Sequence, residues 1–197
     1  MDQFNMPGFI VLVSFYGSYL CKQILLKKRG IYTNRLGRGN KPARTFKIET
    51  SLKLATFSMA AVQILSLFVI KEGSLILSQP AIRFAGISIA FLGTGVFITA
   101  MACMKTSWRA GVDTTQKTIL IKSGIYHISR NPAFLGFDLF YIGFALGFSN
   151  PLQIIFTLLC VVILHLQILE EERFLPAVFG LAYEEYKKTT PRYFLFL

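Results

Sequence analysis

Two short polar segments carry the residues of this sequence that are best suited to chemistry. Residues 124–132, Gly-Ile-Tyr-His-Ile-Ser-Arg-Asn-Pro, stand just before an apolar segment, and residues 170–173, Glu-Glu-Glu-Arg, stand just after the next one. We refer to them as the Asn-Pro segment and the acidic segment. Asn150-Pro151 joins the two apolar segments. So short a link predicts a helical hairpin that brings both polar segments to the same side.

The Asn-Pro segment has the features of a helix start that binds anions. Pro132 suits the first turn of a helix, where its missing N–H group would have no partner, and Asn131 then stands at the N-cap position. The free N–H groups and the positive end of the helix dipole attract a carboxylate or another anion there. The alternative is a simple cap at a membrane surface, with Tyr126 and Arg130 as headgroup anchors.

The acidic segment provides carboxylates for a cationic group. Consecutive acids are costly if they face lipid, and they are unfavourable at the C-terminal end of a helix, where the dipole is negative. A positive partner is therefore expected, supplied by Arg130, Arg173 or a ligand; the alternative is a solvated helix end. Together, the two segments would bind both charges of a zwitterionic amino-acid group.

The composition indicates a single integral membrane domain over residues 1–197. Of the residues, 53% are hydrophobic and 16% charged, against about 25% charged in soluble domains. Residues 1–104 would hold three spanning helices and a basic loop, and residues 105–197 the core of the site. The net charge of +11 would suggest nucleic acid in a soluble protein. Basic residues of membrane proteins gather in cytoplasmic loops, however, so we expect no nucleic-acid partner.

We expect an all-α membrane bundle of about five spanning helices followed by a C-terminal amphipathic helix. A spanning helix needs about 17–25 apolar residues. The segments that qualify are residues 8–26, 52–70, 80–104, 133–149 and 151–169. Pro176 predicts a break or a kink near Leu175. The apolar face of the following tail would lie on a membrane surface or pack back on the domain.

The charges of the loops predict the orientation in the membrane. Residues 27–53 contain nine Lys or Arg and one acid, and residues 105–130 contain five basic residues and one acid, Asp113. With five spans, every basic loop falls on one side. The positive-inside rule then places the N-terminus outside and the C-terminus and the candidate site in the cytoplasm.

The order of residues resembles the isoprenylcysteine carboxyl methyltransferase family over about residues 107–192. Residues 124–136 are similar to the family signature Gly-x-Tyr-(three residues)-Arg-His/Asn-Pro-x-Tyr/Phe-x-Gly. Glu171-Glu172, the Leu, Phe-Gly and two Tyr that follow, and Pro191-Arg192 resemble its C-terminal signature. Residues 107–113 and 118–120 resemble the prokaryotic branch. The resemblance implies an integral membrane methyltransferase that uses S-adenosylmethionine and acts on a lipid-like or lipidated acceptor.

The resemblance also implies which residues contact the cofactor. By matching positions these are Leu120, Ile121, Gly124, Tyr126, Arg130, Asn131, Pro132, Phe134, Gly136, Glu171 and Glu172. No metal is expected, since the histidines and cysteines have no ligand-like spacing.

The catalytic assignments depend on the acceptor. A carboxylate acceptor needs no base, whereas a hydroxyl or an amine needs one, and Glu171, Glu172 and His165 are candidates by chemistry. Many relatives have an arginine shortly before the Glu-Glu pair. This chain has none there, so Arg109 or His165 is the candidate replacement.

Three further residues are interpreted from their position alone. Asp138 lies inside the fourth span and either borders the substrate pocket or forms an interhelical pair. Arg192 contacts either substrate or a lipid phosphate. Trp108 is expected first as a membrane-interface anchor.

Two other functions remain open for the chain. One is a phospholipid-type amine methyltransferase. The other is a non-catalytic membrane binding or transport protein, although a transporter more often shows repeat symmetry and helices interrupted at the midplane.

Overall fold

The computed structural model describes residues 3–111 and 118–194, and these residues fold mainly into α-helices. The helices are α1 (Asn5–Lys28), α2 (Ala43–Phe68), α3 (Pro80–Met104), α4 (Pro132–Gly147), α5 (Pro151–Phe179) and α6 (Leu181–Thr189). Single 3₁₀ turns lie at Glu72–Ser74, Lys105–Ser107 and Gly124–His127. Within the described ranges, strand-like pairing is limited to one parallel bridge between Asn34 and Ala110. The predicted all-α class is confirmed.

The predicted membrane bundle is confirmed as well. Helices α1, α2, α3 and α5 are long and apolar enough to cross a membrane, and α4 is a shorter apolar helix of 16 residues. The third predicted segment matches α3 at both ends. The second differs, since α2 begins at Ala43 rather than at residue 52. Hydropathy detects the part of a helix that crosses lipid, whereas backbone hydrogen bonding extends through the polar turns before it.

Of the two outcomes expected near Leu175, a break or a kink, the break is wrong. Helix α5 continues through Pro176 to Phe179. Pro176 lacks the N–H group that would bond to the carbonyl four residues earlier, but losing this one bond close to the helix end does not stop the helix. The helix ends instead at Gly180, whose φ of +55° is accessible to glycine at little cost.

Glycines allow α3 and α4 to pack at close range. A Cβ atom added to Gly93 would lie 2.5 Å from the backbone nitrogen of Phe140, and one added to Gly136 would lie 2.7 Å from that of Phe97. Small residues at such positions let helix backbones approach each other within a membrane. We call this contact the glycine seam.

An aromatic cluster fixes α1 against the seam. The ring of Phe15 on α1 stacks on Phe140 of α4 at a centroid distance of 3.9 Å and on Phe97 of α3 at 4.8 Å. Phe137 meets Phe15 edge-on at 4.9 Å. These contacts hold α1 close to the start of α4, where the Asn-Pro segment lies.

Helix α6 packs back on the domain, which decides between the two positions expected for the tail. Tyr183 and Tyr186 are buried at 1% and 5% exposure. The Tyr186 hydroxyl donates to the backbone carbonyl of Tyr126. The C-terminal helix is therefore anchored to the Asn-Pro segment.

Candidate functional site

A cavity of about 580 Å³ lies at the end of the bundle where the two polar segments meet. Its wall includes residues from α1, α2, α4, α5 and α6 and from the loops at 107–111 and 118–121. Small-molecule sites commonly have volumes of about 300–1,000 Å³. The cavity is therefore large enough for a ligand of the size of a nucleoside derivative.

The Asn-Pro segment and the acidic segment lie at the same end of the bundle, as the hairpin predicts, and they are in direct contact. The Nδ2 atom of Asn131 and the Nη2 atom of Arg130 each donate to Oε1 of Glu172, both at 3.0 Å. Arg192 donates to the other oxygen, Oε2, through Nη2 at 2.9 Å and Nε at 3.1 Å. Both oxygens of this buried carboxylate are thus hydrogen-bonded within the protein.

Asn131 stands at the predicted N-cap position of α4, but its side chain does not cap the helix. Its amide donates to Glu172 and, at 3.2 Å, to the backbone carbonyl of Arg192. The predicted N-cap position is confirmed, and the side-chain amide of Asn131 is oriented there by the charged acceptor that the tertiary fold brings close.

The three acids of the acidic segment have different surroundings. Glu170 bonds to Arg44, Arg173 and Thr45, and so ties α5 to the start of α2. Glu171 lies on the cavity wall and accepts a hydrogen bond of 3.0 Å from Nε2 of Gln167. Among the described residues, Glu171 is the only acid on that wall.

The predicted site residues divide into two groups. Those on the cavity wall are Arg109, Leu120, Ile121, Tyr126, Arg130, Asn131, Phe134 and Glu171. Those outside the wall are Gly124, Pro132, Gly136, Asp138, His165, Glu172 and Arg192. Val112 and Asp113, which belong to the motif resembling the prokaryotic branch, lie outside the described residues.

The glycines and the proline outside the wall support its shape. Gly124 has a φ of +64°, and a Cβ added there would lie 3.0 Å from Sγ of Cys103. Gly136 belongs to the glycine seam, and Pro132 occupies the first turn of α4. These residues therefore act on the backbone that carries the wall.

The ionisable residues outside the wall cluster behind it. The Nδ1 atom of His165 lies 2.8 Å from the hydroxyl of Tyr193. Burial, and then the nearby Asp138 carboxylate, raise the pKa of Tyr193 to about 12. Within the described residues, Oδ1 of Asp138 is buried without a hydrogen-bond partner. The hydrogen bond to Glu172 is the main reason why the pKa of Arg192 is raised, so this guanidinium remains charged.

Sequence reasoning missed several residues of the wall. Trp108 is 5% exposed, meets Phe97 edge-on at 5.8 Å and lines the cavity, so its expected place as an interface anchor is wrong. Asn34, Lys53 and the residues of α1 on the wall carry no motif that would have identified them. Only the folded structure shows that these residues line the cavity.

Among the described residues, several of the wall carry buried polar atoms without a hydrogen-bond partner, three of them Trp108, Gln167 and Asn34. Nε1 of Trp108, Oε1 of Gln167 and Oδ1 of Asn34 are buried and make no hydrogen bond with the described part of the chain. Buried polar atoms are nearly always hydrogen-bonded. These three residues thus bring one unsatisfied donor and two unsatisfied acceptors to the wall.

Within residues 3–111 and 118–194, no group of three or more His, Cys, Asp or Glu side chains could hold a metal ion.

Comparison with known proteins identifies the family. A comparison with curated proteins gave no match. A family model described as phospholipid methyltransferase matches residues 81–182, just over half of the chain, and includes both polar segments. This family is part of the isoprenylcysteine carboxyl methyltransferase-like group of membrane methyltransferases, which confirms the resemblance seen in the motifs. The chain belongs to the phospholipid methyltransferase family.

Proposed function

We propose that this membrane methyltransferase takes its methyl group from S-adenosylmethionine, bound in the cavity, and transfers it to a lipid-like acceptor. The observation that carries the proposal is that polar and apolar residues line the same cavity. Glu171 stands there with Arg130 and Asn131, and the same cavity continues along apolar surfaces of α1 and α2. A polar cofactor and an apolar acceptor would thus meet in one space.

The residues of the cavity fit the cofactor. Its methionine part carries an ammonium and a carboxylate, which would face Glu171 and the start of α4 respectively. The unpartnered atoms of Trp108, Gln167 and Asn34 supply a donor and acceptors for its other polar groups. The aromatic rings of Phe134 and Tyr126 offer apolar surface for its adenine.

The charges around Glu172 favour the carboxylate end of the cofactor at Arg130. Arg130 and Arg192 carry two positive charges against the single negative charge of Glu172, which leaves one positive charge in excess. Arg130 is itself on the cavity wall. Charge-assisted hydrogen bonds to a ligand carboxylate are stronger than neutral ones.

The chain's own residues act mainly by positioning. The cofactor supplies a methyl group on a positively charged sulfur, which an acceptor displaces in line. Glu171, Arg130 and Asn131 would fix one reactant and the apolar wall the other, since holding reactants in line supplies much of the rate.

A carboxylate acceptor, such as a prenylcysteine, fits this wall best. Glu171 is the only described acid there and is assigned to the cofactor. His165 is hydrogen-bonded to Tyr193 outside the wall. An acceptor that needs no base is therefore favoured. Arg109, held by hydrogen bonds to the carbonyls of Thr106 and Trp108, is on the wall and suits the acceptor carboxylate.

A phospholipid amine is the second candidate acceptor. It is favoured by the description of the matching family. An amine must lose a proton before it can attack, so this reaction needs a base that the carboxylate reaction does not.

The apolar tail of either acceptor would lie between α1 and α2. Leu12 and Leu20 on α1 face the cavity, and so do Phe57 and Ile64 on α2. Phe57 and Ile64 are 68% and 48% exposed, so this limb of the cavity borders the surface that contacts lipid. The basic loops lie at the polar end of the cavity, and basic loops of membrane proteins face the cytoplasm. We therefore propose that this end is on the cytoplasmic side.

The test is transfer of a labelled methyl group from S-adenosylmethionine by the protein in nanodiscs. Acceptors are offered separately: N-acetyl-S-farnesylcysteine, its methyl ester, and phosphatidylethanolamine. We expect labelling of the free farnesylcysteine and none of the ester. Labelling of phosphatidylethanolamine alone would establish the second candidate, and no labelling of these or of a total membrane lipid extract would contradict the proposal.

A further inference from the structure

We infer that residues 190–193 form a C-terminal strap whose task is to position Arg130 and Asn131 for the cofactor. The inference rests on the proposed function of the cavity and concerns residues that lie outside its wall. Arg192 and Tyr193 do not line the cavity, so any effect they have on the cofactor passes through the residues they hold.

Backbone contacts join the strap to the Asn-Pro segment. The N–H group of Arg130 donates to the carbonyl of Pro191 at 2.9 Å. The hydroxyl of Ser129 donates to the carbonyl of Arg192 at 3.0 Å, and the amide of Asn131 donates to the same carbonyl. The strap therefore fixes three consecutive residues at the start of α4.

Side-chain contacts join the same partners through Glu172. The guanidinium groups of Arg130 and Arg192 bind opposite oxygens of this carboxylate, and Asn131 shares the oxygen bound by Arg130. Arg130 also donates to the carbonyls of Lys187 and Thr190. Both cavity residues are thus held by the strap and by α5 at once.

The far end of the strap is fastened to α5. The Tyr193 hydroxyl lies 2.8 Å from Nδ1 of His165, and the two rings stack at a centroid distance of 6.1 Å. His165 was a catalytic candidate from its chemistry. The geometry points to a positioning residue, because its hydrogen bond serves the strap and its side chain is outside the wall.

A strap that only stabilises the fold would give the same contacts, so the test must separate the two roles. The variants are Arg192→Gln, which removes the charged pair, Arg192→Lys, which keeps the charge, and Tyr193→Phe, which removes one hydroxyl. Arg173→Gln is the matched control, since Arg173 pairs with Glu170 of the same segment away from the cavity. Binding of S-adenosylhomocysteine and hydrogen exchange of residues 124–135 are measured in nanodiscs.

The strap predicts a coupled change in both measurements. Arg192→Gln is expected to weaken binding by about tenfold, the size expected for a lost hydrogen bond to a charged group, and to speed exchange in residues 124–135. Arg192→Lys keeps the charge, so its affinity and exchange rate should lie between those of Arg192→Gln and the native protein. Tyr193→Phe should show a smaller change in the same direction. Arg173→Gln should match the native protein. Faster exchange with unchanged affinity, or no change in exchange, would overturn the inference.

Failure of the proposed function would be recognised separately. If the native protein does not bind S-adenosylhomocysteine, the assignment of the cavity is wrong whatever the variants do. Hydrogen exchange then still decides whether the strap holds the Asn-Pro segment. If Arg192→Gln does not fold, Tyr193→Phe supplies the same comparison with a single oxygen removed.

Discussion

At the residue scale, two adjacent glutamates have different surroundings. Both oxygens of Glu172 bind side chains of the protein, whereas Glu171 lies on the cavity wall with Gln167 as its described partner. Neighbouring residues on a helix point about 100° apart. One acid of the pair can therefore organise the site while the other meets the ligand.

Glu171→Gln is predicted to weaken cofactor binding with little loss of stability. The amide keeps the size of the side chain but removes the charge that would pair with the cofactor ammonium, a loss of about 1.5–3 kcal/mol in binding. Calorimetric titration with S-adenosylhomocysteine measures it. Glu185→Gln, an exposed acid on α6, is the control, and equal affinities for the two variants would refute the role given to Glu171.

Glu172→Ala is predicted to lower the stability of the whole protein. It leaves the buried guanidinium of Arg130 without its carboxylate, and breaking a buried pair typically costs about 3–5 kcal/mol. Thermal unfolding in detergent should show a clearly lower midpoint than for Glu185→Ala. A native midpoint combined with lost cofactor binding would mean that Glu172 contacts the ligand after all.

The sequence was sufficient to predict that the Asn-Pro and acidic segments lie on the same side of the bundle, because the short link at Asn150-Pro151 folds the two apolar helices into a hairpin. It could not distinguish Glu171 from Glu172, since that depends on how α5 is rotated about its axis. Nor could it show that Asn131 turns from its helix to Glu172. Arg192 of the strap, which is distant in sequence, supplies partners to both Glu172 and Asn131.

At the element scale, the glycine seam determines how closely α3 approaches α4, and α4 carries the Asn-Pro segment. The apolar pattern predicted α3 at both ends, but hydropathy treats glycine as neutral and gave no indication of the seam. It also missed the start of α2, which is polar, and the last turns of α5, which follow the charged residues 170–173 and were expected to belong to the amphipathic tail.

Gly93→Ala is predicted to destabilise the protein, and Gly95→Ala is its matched control. A Cβ at position 93 would lie 2.5 Å from the Phe140 nitrogen, whereas one at position 95 has nothing within 4 Å. Forcing a methyl group into a packed contact typically costs about 1–3 kcal/mol. Thermal midpoints should therefore fall for the first variant only; equal midpoints would show that the seam can open without cost.

At the scale of the whole molecule, an apolar bundle carries its polar site at one end. Composition and the hydrophobic segments were enough to predict the membrane bundle, and the motifs were enough to predict the family. The contribution of α1 and α2 to the cavity could not be predicted. Their residues on the wall are mostly apolar or aromatic side chains without a motif, and they form one surface only where the helices assemble.

The charge asymmetry predicts that the basic loop between α1 and α2 is cytoplasmic. Single-cysteine variants Arg38→Cys and Gly73→Cys, made after the native cysteines are replaced by alanine, place one thiol in each of two successive loops. Membrane-impermeant maleimide added to intact cells should label Gly73→Cys, and should label Arg38→Cys only after permeabilisation. The reverse pattern would invert the proposed orientation and place the cavity outside.

The central claim is that Glu171 and the Arg130–Asn131 pair hold both charges of the cofactor. The most direct test is the binding of labelled S-adenosylmethionine by the purified native protein in nanodiscs. We predict saturable binding that S-adenosylhomocysteine displaces, and that decarboxylated S-adenosylmethionine, which lacks one of the two charges, displaces far less well. No saturable binding at millimolar cofactor, or equal displacement by both compounds, would contradict it.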